Sequence, residues 1–242
     1  MTALRRAALF AAALVAMAVL FAPLRFALDR IDASRLGLAA AEVEGVVWSG
    51  RMRSASFHGL QLGDVHVGLR PLPLLLGRSR LVVETGENGP APGRAVLVGE
   101  GRRSGVTDAT LSLPLVFSQA AAPLRGEMRL QDVTVLFDGT ACDKAGGRVV
   151  TDVLARNAEF LQWQGPELAG EVGCRGDSVV LPLRGARDGT DVSATVSVGS
   201  DGRYRLQTRV VTRDPALASA LTLAGFRGGP EGLNRVDSGR LR

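Results

Sequence analysis

The residues of this chain whose chemistry can make a site are two cysteines, two histidines and a scatter of carboxylates. Cys142 and Cys174 are the whole thiol complement. Joined as a disulfide they close a loop of about 33 residues, which chain entropy values at roughly 3–4 kcal/mol. The alternative is a pair of buried free thiols. Neither cysteine lies in a C-x-x-C, so a redox centre has no motif to rest on. His58 and His66 have no cysteine close to them in sequence, which leaves a metal without a ligand set, and both read as solvent-facing strand residues. No serine occupies a nucleophile-elbow setting. There is neither a Walker loop nor a dinucleotide fingerprint, and Gly99-Glu100-Gly101 stops short of the latter. Glu42, Glu44, Asp64 and Asp108 are carboxylates that a fold can pair, but they read more simply as solvated strand or turn residues. The expectation is no catalytic residue, no metal ligand and no cofactor.

Charge adds little to that list. The 29 Lys and Arg against 24 Asp and Glu leave +5, spread along the 242 residues. Trp48, Trp163 and a single tyrosine do not interleave with basic residues into a stacking platform, so nucleic acid is not an expected partner. The two tryptophans read as core or sheet-face residues.

The elements that position these residues begin with an uncharged apolar stretch, Ala7 to Leu24, behind Arg5 and Arg6 and ahead of Arg25. Eighteen helical residues span about 27 Å, enough for a bilayer core. The basic N-terminal end keeps to the cytoplasm, so everything after the span is exported. The competing reading is a signal peptide cleaved near Ala16-Met17-Ala18. A cysteine pair outside the cytosol fits the disulfide.

Beyond the span the pattern has period two. Val192, Ala194, Val196 and Val198 alternate with Ser193, Thr195 and Ser197. Tyr204, Leu206, Thr208 and Val210 alternate with Arg203, Arg205, Gln207 and Arg209. Matching parity puts Val198 opposite Tyr204 across a three-residue loop, Ser200-Asp201-Gly202, with glycine at the left-handed third place. Parity breaks at Gly63, between Leu62 and Val65, and at Asp132, between Leu130 and Val133; these read as bulges that curve long strands, with a turn as the alternative. Helical signal is sparse: Pro71–Leu76 suits one short turn, and Asp214-Pro215 opens a helix that Gly225 stops. The expected fold is mainly β: a single N-terminal transmembrane helix, then a curved, twisted antiparallel β-sheet body with one short C-terminal helix. The division is a cytoplasmic N-terminus over 1–6, an anchor over 7–24, a periplasmic β domain over 25–227 and a disordered, Gly-rich tail over 228–242. Deleting residues 1–24 should then leave a folded soluble domain.

The segment from Val43 to Gly77 carries G-x-V-W-x-G at Gly45 to Gly50, including Trp48, then Gly59-Leu60-Gln61-Leu62-Gly63, then Pro71 to Gly77 as a Pro-Leu-rich run ending in glycine. With Cys142 before Gly146-Gly147-Arg148, Cys174 after Leu168, and the Asp214 to Phe226 helix, this order resembles the type II secretion system protein N, or general secretion pathway protein N, family. The resemblance implies structural roles for Gly45, Trp48, Gly50, Gly59, Gly63, Pro71 and Gly77 and no catalytic residues. It implies an inner-membrane-anchored, non-catalytic adaptor with its body in the periplasm, supporting export of folded proteins across the outer membrane. Its partners would be subunits of the inner-membrane platform or the outer-membrane pore, exoprotein cargo, and the inner membrane itself. The alternative that the residues leave open is a periplasmic lipid-binding or lipid-transfer groove protein with an N-terminal anchor, whose groove Val192, Val196 and Leu206 would line.

Overall fold

Side chains that alternate between apolar and polar must lie on a sheet with one dry and one wet face, and the chain forms such a sheet from residue 38 onward. The computed structural model of the protein describes residues 10, 14, 17, 21–25, 38–57, 60–74, 76–86, 89–117 and 124–240. Sixteen strands follow in order: β1 (Leu38–Ala39), β2 (Glu42–Val46), β3 (Ser49–Phe57), β4 (Leu60–Leu69), β5 (Arg78–Thr85), β6 (Gly93–Glu100), β7 (Arg103–Phe117), β8 (Leu124–Asp138), β9 (Ala141–Thr151), β10 (Leu168–Glu171), β11 (Gly173–Arg175), β12 (Ser178–Arg187), β13 (Thr190–Gly199), β14 (Arg203–Val211), β15 (Arg227–Gly229) and β16 (Gly232–Arg240). The helices that follow residue 38 are short: α1 (Pro71–Leu74), α2 (Val153–Arg156), α3 (Ala158–Leu161) and α4 (Pro215–Leu223).

The strands make one antiparallel sheet. Neighbours follow chain order from β3 to β10, then run β12, β13, β14, β16, β15; β1 and β2 share the outer side of β3, and β11 pairs with β12. The two ends of this order do not pair with each other, so the sheet is open. The expected hairpin forms in the expected register, with Val198 opposite Tyr204. Gly202 takes φ +76° and its N–H donates to the Gly199 carbonyl at 3.0 Å.

Both parity breaks are bulges within continuous strands, not turns. Between Met52↔Val65 and Phe57↔Leu60 the β3–β4 register slips on each strand, at Ser54 and beside Gly63. In β8 the slip falls at Asp132, and in β7 a further one falls at Asp108. Ser54, Asp108 and Asp132 all sit in the left-handed region, at φ 49°, 52° and 51°. Local hydrogen bonds hold two of them: the Ser54 N–H donates to Asp64 Oδ1, and Asp132 exchanges bonds with the Thr110 hydroxyl. Each bulge adds a local bend and sharpens the twist of its strand.

Two apolar clusters lie on this one sheet. The larger joins Ala109, Val133, Val149, Leu168, Val172, Leu183, Val192, Ala194 and Val210, with Leu154, Trp163, Leu221 and Phe226 packed over it from α2, the loop after α3, and α4. The smaller joins Leu24, Met52, Ala55, Val65 and Val67. α4 is closed at both ends. Asp214 accepts from the N–H groups of Ala216 and Leu217, and the N–H groups of Gly225 and Phe226 return to the carbonyls of Thr222 and Leu221. That is a Schellman ending around a left-handed glycine.

Two expectations need correction. The stretch from Gly228 is not a disordered tail: β15 and β16 continue the sheet, and β16 pairs with eight residues of β14, Arg203↔Arg240 to Val210↔Leu233. Its polar composition hides a strand because backbone pairing, with cross-strand bonds such as Arg209 Nε to Asn234 Oδ1 at 3.2 Å, does the holding. Nor does the folded body begin after residue 24, because Leu24 is 4% exposed and part of the smaller core. Most of the expected anchor, 7–24, lies outside the described residues. None of the described helices is long and apolar enough to cross a membrane.

Candidate functional site

Of the motif residues, Gly45, Trp48, Gly50 and Pro71 gather where the chain enters the sheet. Gly45 and Gly50 face each other across β2 and β3, and Val47-Trp48 make the two-residue turn between them. Gly45 has φ +89°, and a Cβ there would stand 2.6 Å from the Ser49 carbonyl oxygen. Any larger residue would strain the turn. Gly50 is buried, and a Cβ on it would collide with Leu24 Cδ2. The bare backbone of Gly50 is thus the seat of Leu24. Pro23 bridges to Val46, and the Val47 N–H donates to the Ala22 carbonyl at 3.0 Å. Residues 22–24 are therefore tied to the sheet edge by backbone bonds on one side and by a buried leucine on the other.

The same turn touches the next strand. The Leu69 N–H donates to the Val47 carbonyl at 3.2 Å, and the Arg70 N–H donates to the Arg80 carbonyl at 3.0 Å. From there Pro71 begins α1, a single turn limited by its two prolines. Leu72 and Leu76 project from this turn at 76% and 73% exposure. Beside them lies a cleft of about 470 Å³ lined by Leu72, Pro73 and Leu76 from the turn, Val98 and Leu136 from the sheet, and Arg78, Arg80 and Glu100 among its charged groups. Arg78 Nε donates to Glu100 Oε1 at 2.7 Å, a half-exposed pair that fixes geometry more than it adds stability.

Gly63 sits in the β4 bulge with φ +78°, Gly77 ends the α1 turn with φ +71°, and His66 is an exposed residue of β4. Gly59 and His58 lie outside the described residues. Trp48 is half-buried in its turn, and Trp163 packs on the larger core. Cys142 on β9 and Cys174 on β11 form a disulfide, with Cα atoms 5.6 Å apart. Of the residues expected to line an apolar groove, Val192 belongs to the packed core, whereas Val196 and Leu206 are half-buried. The carboxylates do not converge: Glu42 and Glu44 pair with Arg53, Asp64 caps a bulge, and Asp108 is an exposed bulge residue. Among the described residues no three His, Cys, Asp or Glu are grouped to hold a metal.

Sequence reasoning missed the bracket at α2. Asp152 accepts from the Glu127 N–H at 2.7 Å and pairs with Arg156 at 2.6 Å, and Asn157 bonds both the N–H and the carbonyl of Arg125. The hydrogen bonds that Arg156 donates to Asp152 raise its guanidinium above its ordinary pKa, with the Glu127 carboxylate adding to it. The i, i+4 spacing of Asp152 and Arg156 was the available signal. The bracket positions α2 on the end of β8 and is structural.

A family model described as "Type II secretion system (T2SS), protein N" matches residues 36–234, from just before β1 into β16. No curated protein and no solved structure matches the chain.

Proposed function

Because the chain belongs to the type II secretion system protein N family, we propose that it is an inner-membrane-anchored periplasmic adaptor of that machine, without chemistry of its own. The observation that carries this reading is the family match over 36–234. Three features support its finer parts. The uncharged stretch 7–24 has the length and flanking charge of a single-pass anchor. The disulfide between Cys142 and Cys174 suits an oxidising compartment. An open sheet has edges, and an edge takes a partner strand by backbone pairing. Among the described residues the outer side of β16 beyond Asn234 has no paired strand, since β15 covers only Gly232, Leu233 and Asn234. Partner subunits of the secretion machine are the expected occupants.

The test is a secretion assay in cells lacking the native chain. A version beginning at Ala22, exported by a cleavable signal, keeps Leu24 in its core and loses the tether. It should accumulate folded in the periplasm while exoproteins stay trapped there. Full secretion by this version would remove the tether from the mechanism. Photo-crosslinkers at Val236 should capture secretion subunits. Stoichiometric lipid in organic extracts of the purified chain, with no subunit captured, would overturn the adaptor in favour of a lipid-handling groove.

A further inference from the structure

We propose that the Leu72–Leu76 turn is a second membrane contact, seated in the headgroup layer beside the anchor, with Arg70 and Arg80 supplying charge for anionic lipid phosphates. The inference rests on the anchor reading above.

Position comes first. Ala22, at the end of the span, accepts from Val47, and Val47 accepts from Leu69. Three backbones side by side occupy about 10 Å at ordinary strand spacing. Where the anchor leaves the bilayer, β4 ends and the α1 turn begins. A turn so close to the exit point lies within the thickness of the headgroup region.

Exposure comes second. Leu72 and Leu76 keep roughly three-quarters of their surface in contact with solvent, 76% and 73%, within five residues of each other. Pro71 and Pro73 limit the conformations of the turn, so little freedom is lost when it is seated. Trp48, half-buried in the adjoining turn, is the side-chain type that favours the same layer.

Charge comes third. Around the cleft Arg78 pairs with Glu100, Arg102 with Asp138 and Arg103 with Asp143. Arg70 and Arg80 are exposed and have no carboxylate partner among the described residues. Two uncompensated cations beside two exposed leucines suit an anionic bilayer surface. The anchor holds this end of the sheet against a bilayer, which is why lipid is the occupant and not a second protein.

The experiment uses the full chain in vesicles of phosphatidylethanolamine and phosphatidylglycerol. Leu72→Cys, Leu76→Cys and, as reference, Val236→Cys are each labelled with an NBD fluorophore; the native cysteines are bonded to each other, so only the new thiol reacts. Spin-labelled lipid should quench the labels at 72 and 76 at least about threefold more than the label at 236. Combined Arg70→Glu and Arg80→Glu, or replacement of phosphatidylglycerol by phosphatidylcholine, should reduce that quenching by about half or more. Equal quenching at all three positions, in a chain that resists alkaline extraction, overturns this contact and leaves the anchor standing. Release of the chain by alkali overturns both. A signal in detergent that grows with protein concentration assigns the patch to a second copy and also overturns the proposal.

Discussion

Leu24 and Gly50 are the pair on which the entry to the sheet depends. Leu24 is 4% exposed, and Gly50 has no side chain because Leu24 fills that space. Leu24→Ala should cost about 2–3 kcal/mol by opening a cavity. Gly50→Ala should cost about 1–3 kcal/mol by overpacking. The double variant should cost clearly less than the sum, since the shortened side chain makes room for the new methyl. Urea unfolding of the detergent-solubilised chain measures all three, and strict additivity would separate the two residues. Thr151 offers the opposite sign. It is 4% exposed, and its hydroxyl has no hydrogen-bond partner among the described residues. Thr151→Val keeps the shape, removes the orphaned group and should stabilise the fold by about 1 kcal/mol. Neither feature was legible beforehand. Gly50 stood out as a motif residue, but its reason lies with Leu24, 26 positions earlier in a stretch that reads as pure anchor. Burial of Thr151 depends on strands that arrive from elsewhere in the chain.

Elements were legible in proportion to how locally they are determined. The α4 cap and stop, Asp214 and Gly225, and the Gly202 turn involve residues two to five apart, and both were read correctly. The bulge at Asp132 showed as a change of parity in its own strand, whereas Ser54 and Asp108 take left-handed backbone without any glycine to mark them. β16 was missed because Asn234, Arg235, Asp237 and Ser238 carry almost no apolar alternation. Its removal tests whether it is a strand or a tail. Truncation after Phe226 strips eight paired residues from β14 and uncovers Val210, now 4% exposed. The expected loss is on the order of 2–3 kcal/mol, seen as a lower urea midpoint; a true tail would leave the midpoint in place. The disulfide gives a second test at this scale. Cys142→Ser, Cys174→Ser and the double variant should each lose the same roughly 3–4 kcal/mol, because all three open one loop.

At the scale of the whole molecule the sheet is continuous, and its buried apolar residues fall into two clusters. The smaller cluster spans β3 and β4 with Leu24, and the larger begins at β7 and runs to β14. Between them, on β5 and β6, Val96 is buried and Val83 meets Ala95 at the margins of the two clusters, while Leu97, opposite Leu81, is still 41% exposed. This seam holds fewer buried side chains than either cluster, and regions with few buried contacts open at lower free energy than those with many. The chain should therefore unfold in two steps. Hydrogen exchange should be slowest in β8, β9, β12 and β13, which hold Val133, Val149, Leu183 and Val192, and faster across β2 to β5. The residue variants then sort by cluster. Leu24→Ala should lower only the first transition, and Cys142→Ser, whose disulfide ties β9 to β11, only the second. Equilibrium unfolding followed by exchange mass spectrometry reads both. A single transition that both variants shift equally would mean that the seam transmits cooperativity and that the two clusters act as one core. Two separate responses would place the N-terminal end of the sheet, the end next to the stretch proposed as an anchor, in the less stable unit.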